Sequence, residues 1–468
     1  MSGTITNATC QNALDSPFRG RRKLWVVLLI ICFVASFIKV SGQSNITPAY
    51  NWLKQEKLPT VNVNLATLSV NSEDITIAVA TDPEGNVYTL TFGKGVTKRN
   101  SEGVLLNDNF IPANILPSPL DLAIDQNGYI YVATYLPEGE YQDNGQIKVF
   151  DTQGNFVRSI LTSFYRPMGL DVDENFVYAA EYYDGKKGPE QGSVYSRIRI
   201  YNKLSGSLVK ESNQVQIPMR IAIDSNKNVY VSQAGYSNNS EVRIFNENLI
   251  YQTVLPNITS PGSIVIDEFD FIHVIEYAGR IDFSRFIDFE SLSFSEVQTI
   301  AKNIDDAQRA KAFSIKIFDL NRSLKLTFKD QLDFPVDLTF NQCDRMYVNN
   351  SKIFGNNVFI IGYLPDRLEF DLEIYKRTPS LDTQKPLLSC PANITVTAAA
   401  GETTAVVNYT APIPTDNCST PVLTRTGPGP NSNFPIGTTP ITYTATDDAG
   451  NVETCVFTIT VNPAEEEE

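Results

Sequence analysis

The chain has 468 residues, 42% hydrophobic and 19% charged, which describes a globular protein too long for one compact core. Its formal net charge of −15 argues against nucleic acid and anionic membrane surfaces as partners, since both need a basic patch. One histidine in the whole sequence argues against most histidine-based catalysis, most zinc sites and any histidine pH switch.

At the N-terminus, Arg19-Gly20-Arg21-Arg22-Lys23 precedes an apolar run from Leu24 to Ile38, which stops at Lys39 before the small residues Ser41-Gly42. A positive flank, roughly 15 apolar residues and a small-residue exit read as an export signal over residues 1–42, short of the roughly 20 residues of a spanning helix. The long polar stretch ahead of the arginines leaves an N-terminal membrane anchor open as the alternative. Either reading puts the rest of the chain outside the membrane, secreted or at the cell surface. Residues 43–60 form an N-terminal segment.

From residue 61 the sequence repeats. Five copies open on Pro119, Pro167, Pro218, Pro261 and Pro335, and each runs through an apolar alternation to Asp125, Asp173, Asp224, Asp267 or Asn341. A second strand follows each turn, as in Tyr131-Val132, Tyr178-Ala179, Tyr230-Val231, His273-Val274 and Tyr347-Val348. A degenerate first copy has Asp82-Pro83-Glu84-Gly85 as its turn and Val87-Tyr88 after it. Third strands close most copies, as in Gln146-Ile147-Lys148-Val149-Phe150 and Ser314-Ile315-Lys316-Ile317-Phe318. Period-2 alternation and turn chemistry recurring about every 40–50 residues predict an all-β fold of radially repeated four-stranded units, a six-bladed β-propeller over 61–376. The segment Val61–Leu65 is expected to add a strand to the last blade and seal the ring. The pattern resembles NHL-repeat propellers, whose blade signature is the same proline, apolar triplet, Asp, Tyr-Val and Ile-x-Val-Phe. That resemblance implies the fold and is silent about activity.

Aligning the copies separates packing positions from candidate site positions. His273 falls in the tyrosine column and is expected to pack between blades. Two columns are expected to ring one mouth of the central channel: Asp121, Gly169, Arg220, Ser263 and Asp337 on the first strands, and Thr91, Thr134, Glu181, Gln233, Glu276 and Asn350 ending the second. With Tyr135, Tyr182, Tyr236 and Tyr277 from the loops that follow, they make a candidate ligand face for a glycan or protein. Glu181 and Glu276 are the candidate ligands of a hard cation such as calcium, for which oxygen donors are suited. The fifth copy carries a long insertion, about 281–313, whose second half reads as helical and which leaves the same mouth.

A polar linker, 377–384, leads to Thr- and Val-rich strands over 385–463, read as a β-sandwich, and then to an acidic tail, 464–468. Cys390-Pro391-Ala392-Asn393-Ile394, Pro414-Thr415-Asp416-Asn417-Cys418-Ser419 and Tyr443–Asn451 followed by Cys455 closely resemble the HYR (hyalin repeat) module, an immunoglobulin-like domain of extracellular proteins. The resemblance implies a Cys390–Cys455 disulfide and so an oxidising compartment. Cys418 lacks the partner it has in four-cysteine versions of the module; it and Cys343 are either free or paired with each other.

The sequence contains no nucleophile–base pair, phosphate loop or Cys-x-x-Cys. The first reading is therefore a non-enzymatic extracellular binding or adhesion protein. The alternative is a calcium-dependent hydrolase, because similar-looking propellers include lactone hydrolases with carboxylate and amide metal ligands. Glu181, Gln233, Glu276 and Asn350 would supply those ligands.

Overall fold

The computed structural model describes residues 49–58, 61–64, 69–70, 76–136, 144–163, 166–183, 195–234, 240–277, 312–329, 332–341, 343, 345–358, 362–378, 382–416 and 418–465. The export segment, Tyr236 and nearly all of the 281–313 insertion lie outside these residues. The chain divides into two compact units, one of Met1–Asn341 with Arg345–Lys376, the other of Arg377–Glu468 with the turn Gln342–Asp344.

The first unit is the six-bladed propeller. Blade 1 runs from Thr76–Thr81 at the centre through Val87–Thr91 and Gly95–Arg99 to Leu105–Pro112 outside. Blades 2 to 5 repeat this antiparallel meander from the inner strands Pro119–Ile124, Arg166–Val172, Ile217–Ile223 and Pro261–Ile266. Blade 6 begins with Phe334–Phe340, Arg345–Val358 and Gly362–Thr378. The six inner strands pack in cyclic order, the last against the first, so the ring is closed.

Its core lies between blade faces. Tyr178, Ala180, Ile198 and Ile200 of blade 3 interleave with Ile221, Ile223, Val231 and Phe245 of blade 4, all buried. Each such Ile, Val or Phe contributes about 1.5–3 kcal/mol by leaving water.

Two side-chain devices explain the repeat signature. In the turn, one aspartate oxygen accepts backbone N–H groups, as Asp125 Oδ1 does from Asn127 and Tyr129 at 2.9 and 3.0 Å. The other oxygen accepts the hydroxyl of the tyrosine that follows: Tyr88 to Asp82 at 2.9 Å, Tyr131 to Asp125 at 3.2 Å, Tyr178 to Asp173 at 2.9 Å and Tyr230 to Asp224 at 3.1 Å. Blade 6 reverses the polarity, with the Asn341 amide donating to the Tyr347 hydroxyl at 3.0 Å. Burial beside the aspartates pushes the hydroxyls of Tyr88, Tyr131 and Tyr178 up, so they remain donors. On the third strand a cation reaches a backbone carbonyl in the approach to its own blade: Lys148 to Ile115 at 2.7 Å, Arg243 to Gln214 at 2.7 Å and Lys316 to Asn257 at 2.5 Å.

Blade 6 departs from this rule where the ring is sealed. Its third strand carries Glu373 at the cation position, and Glu373 accepts the Trp52 indole N–H at 2.7 Å. Trp52 belongs to Ala49–Lys57, which pairs with Gly362–Thr378; Lys57 adds an ion pair to buried Asp371 at 2.8 Å. The expected sealing strand, Val61–Asn64, also pairs there, through Val61↔Leu368 and Asn62↔Arg367. The sheet therefore recruits chain upstream of the expected boundary at residue 61. His273 packs as expected. Its Nδ1 donates to the Phe271 carbonyl at 3.0 Å, which leaves Nε2 to accept from the Tyr50 hydroxyl at 2.9 Å, and its ring lies 4.3 Å from Phe340.

The second unit is an immunoglobulin-like sandwich. Four strands lie in the order Ile394–Thr397, Val452–Asn462, Gly437–Thr446, Val422–Thr426, with the first pair parallel; Thr404–Val407 and Ser432–Pro435 form the opposing sheet. Val407, Tyr409, Phe434, Ile441, Tyr443, Phe457 and Ile459 fill the space between them. Cys390 pairs with Cys455, as expected, at a Cα separation of 5.5 Å. The remaining two thiols are not free: Cys343 pairs with Cys418, with 4.8 Å between Cα atoms.

Candidate functional site

The inner-strand column converges, and it is sealed. Asp121, Arg220 and Asp337, from blades 2, 4 and 6, are all 0% exposed. Each aspartate reaches the neighbouring blade. Leu170 N–H donates to Asp121 Oδ2 at 2.7 Å, and Val79 N–H donates to Asp337 Oδ2 at 2.8 Å, the second contact crossing the seam between blades 6 and 1. Ser263 donates to the other Asp337 oxygen at 3.1 Å. Arg220 Nη1 donates to the carbonyls of Met168 and Met219, and Nη2 stands 3.9 Å from Asp121.

Gly169 makes room for this arrangement. A Cβ there would come within 2.8 Å of the Arg220 Cα and 2.9 Å of the Met219 carbonyl oxygen. Burial pushes the Asp337 carboxyl well above the usual carboxylate range against the pull of Arg220, and nearby Asp121 adds to the rise. The channel lining is thus an ionic seam holding blades together.

The second-strand column lies apart, each member engaged within its own blade. Gln233 Oε1 accepts the Gln216 N–H at 3.0 Å, Glu276 Oε1 the Thr259 N–H at 3.1 Å, and Asn350 Oδ1 the Asp333 N–H at 3.0 Å. These donors all sit 17 residues upstream, so the three side chains cap the segments leading into the inner strands of blades 4, 5 and 6. Glu276 also pairs with Lys316 at 2.7 Å. Among the described residues, none of Glu181, Gln233, Glu276 and Asn350 bonds to another of the four.

Glu181 has the richest set of partners. It is fully buried, accepts the Tyr201 hydroxyl at 2.5 Å and pairs with Arg199 at 3.1 Å. Arg199 and Arg197 both continue to Glu211, at 3.1 and 2.9 Å. Burial pushes the Glu181 carboxyl from 4.5 up to about 7, against the opposing pull of Arg199, the Tyr201 hydroxyl and Arg197. Because the folded protein holds this proton more tightly than the unfolded chain, the contribution of Glu181 to stability is full below about pH 4.5 and is lost as pH rises through 7. The shift corresponds to on the order of 3 kcal/mol. In urea titrations from pH 4.5 to 8, the wild type should lose this amount relative to Glu181→Gln; parallel curves would refute the assignment.

The tyrosines divide. Tyr277 is fully buried, donates to the Pro335 carbonyl at 3.1 Å and packs on Phe313, which makes it an inter-blade residue. Tyr182 is buried too. Tyr135 is half-buried at this mouth, with the Arg166 guanidinium 4.9 Å from its ring centre. The two propeller faces differ in their connections. One carries the short Asp turns, whereas on the other the second and third strands are joined by residues 137–143, 184–194, 235–240 and 277–313 in blades 2 to 5. In blade 6 the paired strands Arg345–Val358 and Gly362–Thr378 run on past Asn350 on this same side.

Among the described residues, the acidic group dense enough to hold a cation lies in the second unit rather than at Glu181 and Glu276. Asp382, Asp416 and Asp447 bring carboxylate oxygens within 4.8 Å of one another. The aligned repeats gave no hint of it, since these residues lie outside the repeats and far apart in the sequence.

Residues 381–461 match the HYR domain family. Over 83 residues the chain is 42% identical to hyalin of Strongylocentrotus purpuratus, covering 18% of this chain and 7% of hyalin. It is 40% identical over 82 residues to hyalin of Lytechinus variegatus, covering 17% and 15% respectively. The chain therefore spans a small part of the relatives it matches. Among solved structures, the Neurospora crassa Pan2 WD40 domain aligns with 68% of this chain and 95% of its own, at 9% identity and a TM-score of 0.35.

Proposed function

We propose that this chain is an extracellular adhesion-type protein whose propeller engages a glycan or protein through its long-connection face, with the HYR module as an adhesion or spacer unit. The observation that carries the extracellular reading is the HYR module itself, with its hyalin likeness and two disulfides, which need an oxidising compartment to form. The NHL-like blade pattern supplies a rigid disc for this role, since its ionic and tyrosine–aspartate contacts serve the fold. Connections on one face of a rigid scaffold are where binding residues concentrate. The expected secretion signal accounts for delivery, and no helix among the described residues is long and apolar enough to cross a membrane.

The test is binding of the full exported chain to glycan and extracellular-protein arrays, beside variants with 184–194 or 279–311 replaced by short Gly-Asn turns, which leaves the buried Tyr277 and Phe313 in place. Retained folding with at least a tenfold loss of affinity in one variant is the expected result. Equal binding by all three would remove the propeller face from the reading and leave the HYR module as the adhesive part.

A further inference from the structure

The sandwich presents an Asn-Ile-Thr triplet, Asn393-Ile394-Thr395, where its first strand begins. We propose that Asn393 carries an N-linked oligosaccharide; the inference rests on the extracellular reading above. Asn-x-Thr is the acceptor pattern for such transfer, and the geometry here suits the product. Asn393 is exposed, and its Oδ1 accepts the Thr458 backbone N–H at 2.8 Å. That bond fixes the amide plane by its oxygen and leaves the exposed amide nitrogen as the group to be substituted.

In the transfer, Nδ2 forms a bond to the anomeric carbon of the first sugar of a polyprenyl-diphosphate-linked oligosaccharide. The anomeric carbon–oxygen bond to the diphosphate breaks, and the diphosphate leaves with the electron pair while Nδ2 releases one proton. Oδ1 takes no part in the new linkage, so its bond to Thr458 survives.

Position in the sheet supplies a reason for the sugar. Among the described residues, Ile394–Thr397 is an edge strand, paired with Val452–Asn462 on one side. An exposed strand edge is a template for association with another chain, and a bulky hydrophilic group on the residue just before the strand hinders that approach. The same acceptor pattern at Asn349-Asn350-Ser351 provides an internal contrast. Asn349 is 0% exposed, and its Nδ2 is spent on the Thr76 carbonyl at 3.0 Å, so a sugar there is incompatible with the closed ring.

The experiment is to secrete the full chain from a eukaryotic cell line and release glycans with peptide N-glycosidase in ¹⁸O-water, which marks each substituted asparagine as ¹⁸O-aspartate. Mass spectrometry should find the mark at Asn393 and none at Asn349. Asn393→Gln and Thr395→Ala should each lose it with one glycan's worth of electrophoretic shift, while Thr395→Ser keeps it. A secreted, folded chain with unmarked Asn393 overturns the proposal. Retention of the chain inside the cell counts against the extracellular reading instead.

Discussion

Arg220→Met should cost the propeller about 3–5 kcal/mol of folding stability in urea denaturation at pH 7, because it leaves Asp121 buried without the guanidinium 3.9 Å away and removes the pull that opposes protonation of Asp337. The loss follows from desolvation. The two side chains, at 0% exposure, keep the Leu170 and Val79 N–H groups and the Ser263 hydroxyl but lose the positive charge beside them. Adding Asp121→Asn and Asp337→Asn should recover at least half of the loss. Asparagine still accepts the Leu170 and Val79 N–H groups and carries no charge to bury, so the combined variant separates the electrostatic part from lost packing. A cost below 1 kcal/mol for Arg220→Met would mean that the seam does not hold the blades.

The second large effect concerns the sandwich. Replacing Cys390 and Cys455 with serine should remove about 4 kcal/mol from the second unit, the chain-entropy value for a bridge spanning 65 residues. Calorimetry of the full chain under non-reducing conditions should show the loss as a lowered transition for that unit. The Cys343–Cys418 bridge spans 75 residues, and the logarithmic dependence on loop length makes its entropic contribution nearly equal. Cys390 and Cys455 additionally pack against the sandwich core, so their removal should be the more costly of the two. The reverse ranking would show that loop closure does not set these contributions.

How much of this was legible in the sequence depends on the distance over which a contact acts. Blade phase was readable because Asp125 and Tyr131, six residues apart, satisfy each other within one hairpin. The packing role of His273 followed from its column, although its partner Tyr50, 223 residues away, could not be inferred. The polar first-strand column read as part of a ligand face. Its carboxylates in fact reach backbone N–H groups on the neighbouring blade, 49 and 258 residues distant, and no local pattern encodes that reach. Glu276 and Asn350 looked like free oxygen donors for the same reason: the N–H groups they cap lie in segments with no signature of their own. The Cys343–Cys418 pairing was undetermined because the two cysteines belong to different repeat systems. The sealing strand was placed late because Trp52 and Lys57 gain meaning only beside Glu373 and Asp371.

That sealing strand also settles how the ring would carry tension. The first described strand, Ala49–Lys57, and the last, Gly362–Thr378, lie side by side in one sheet. A pull between the two ends of the propeller is resisted by that strand pair, by Trp52 on Glu373 and by Lys57 on Asp371. The other blades stand outside the direct load path. Anchored at one end and tethered at the other, the disc would bear force at a single seam while the remainder of the ring kept its shape.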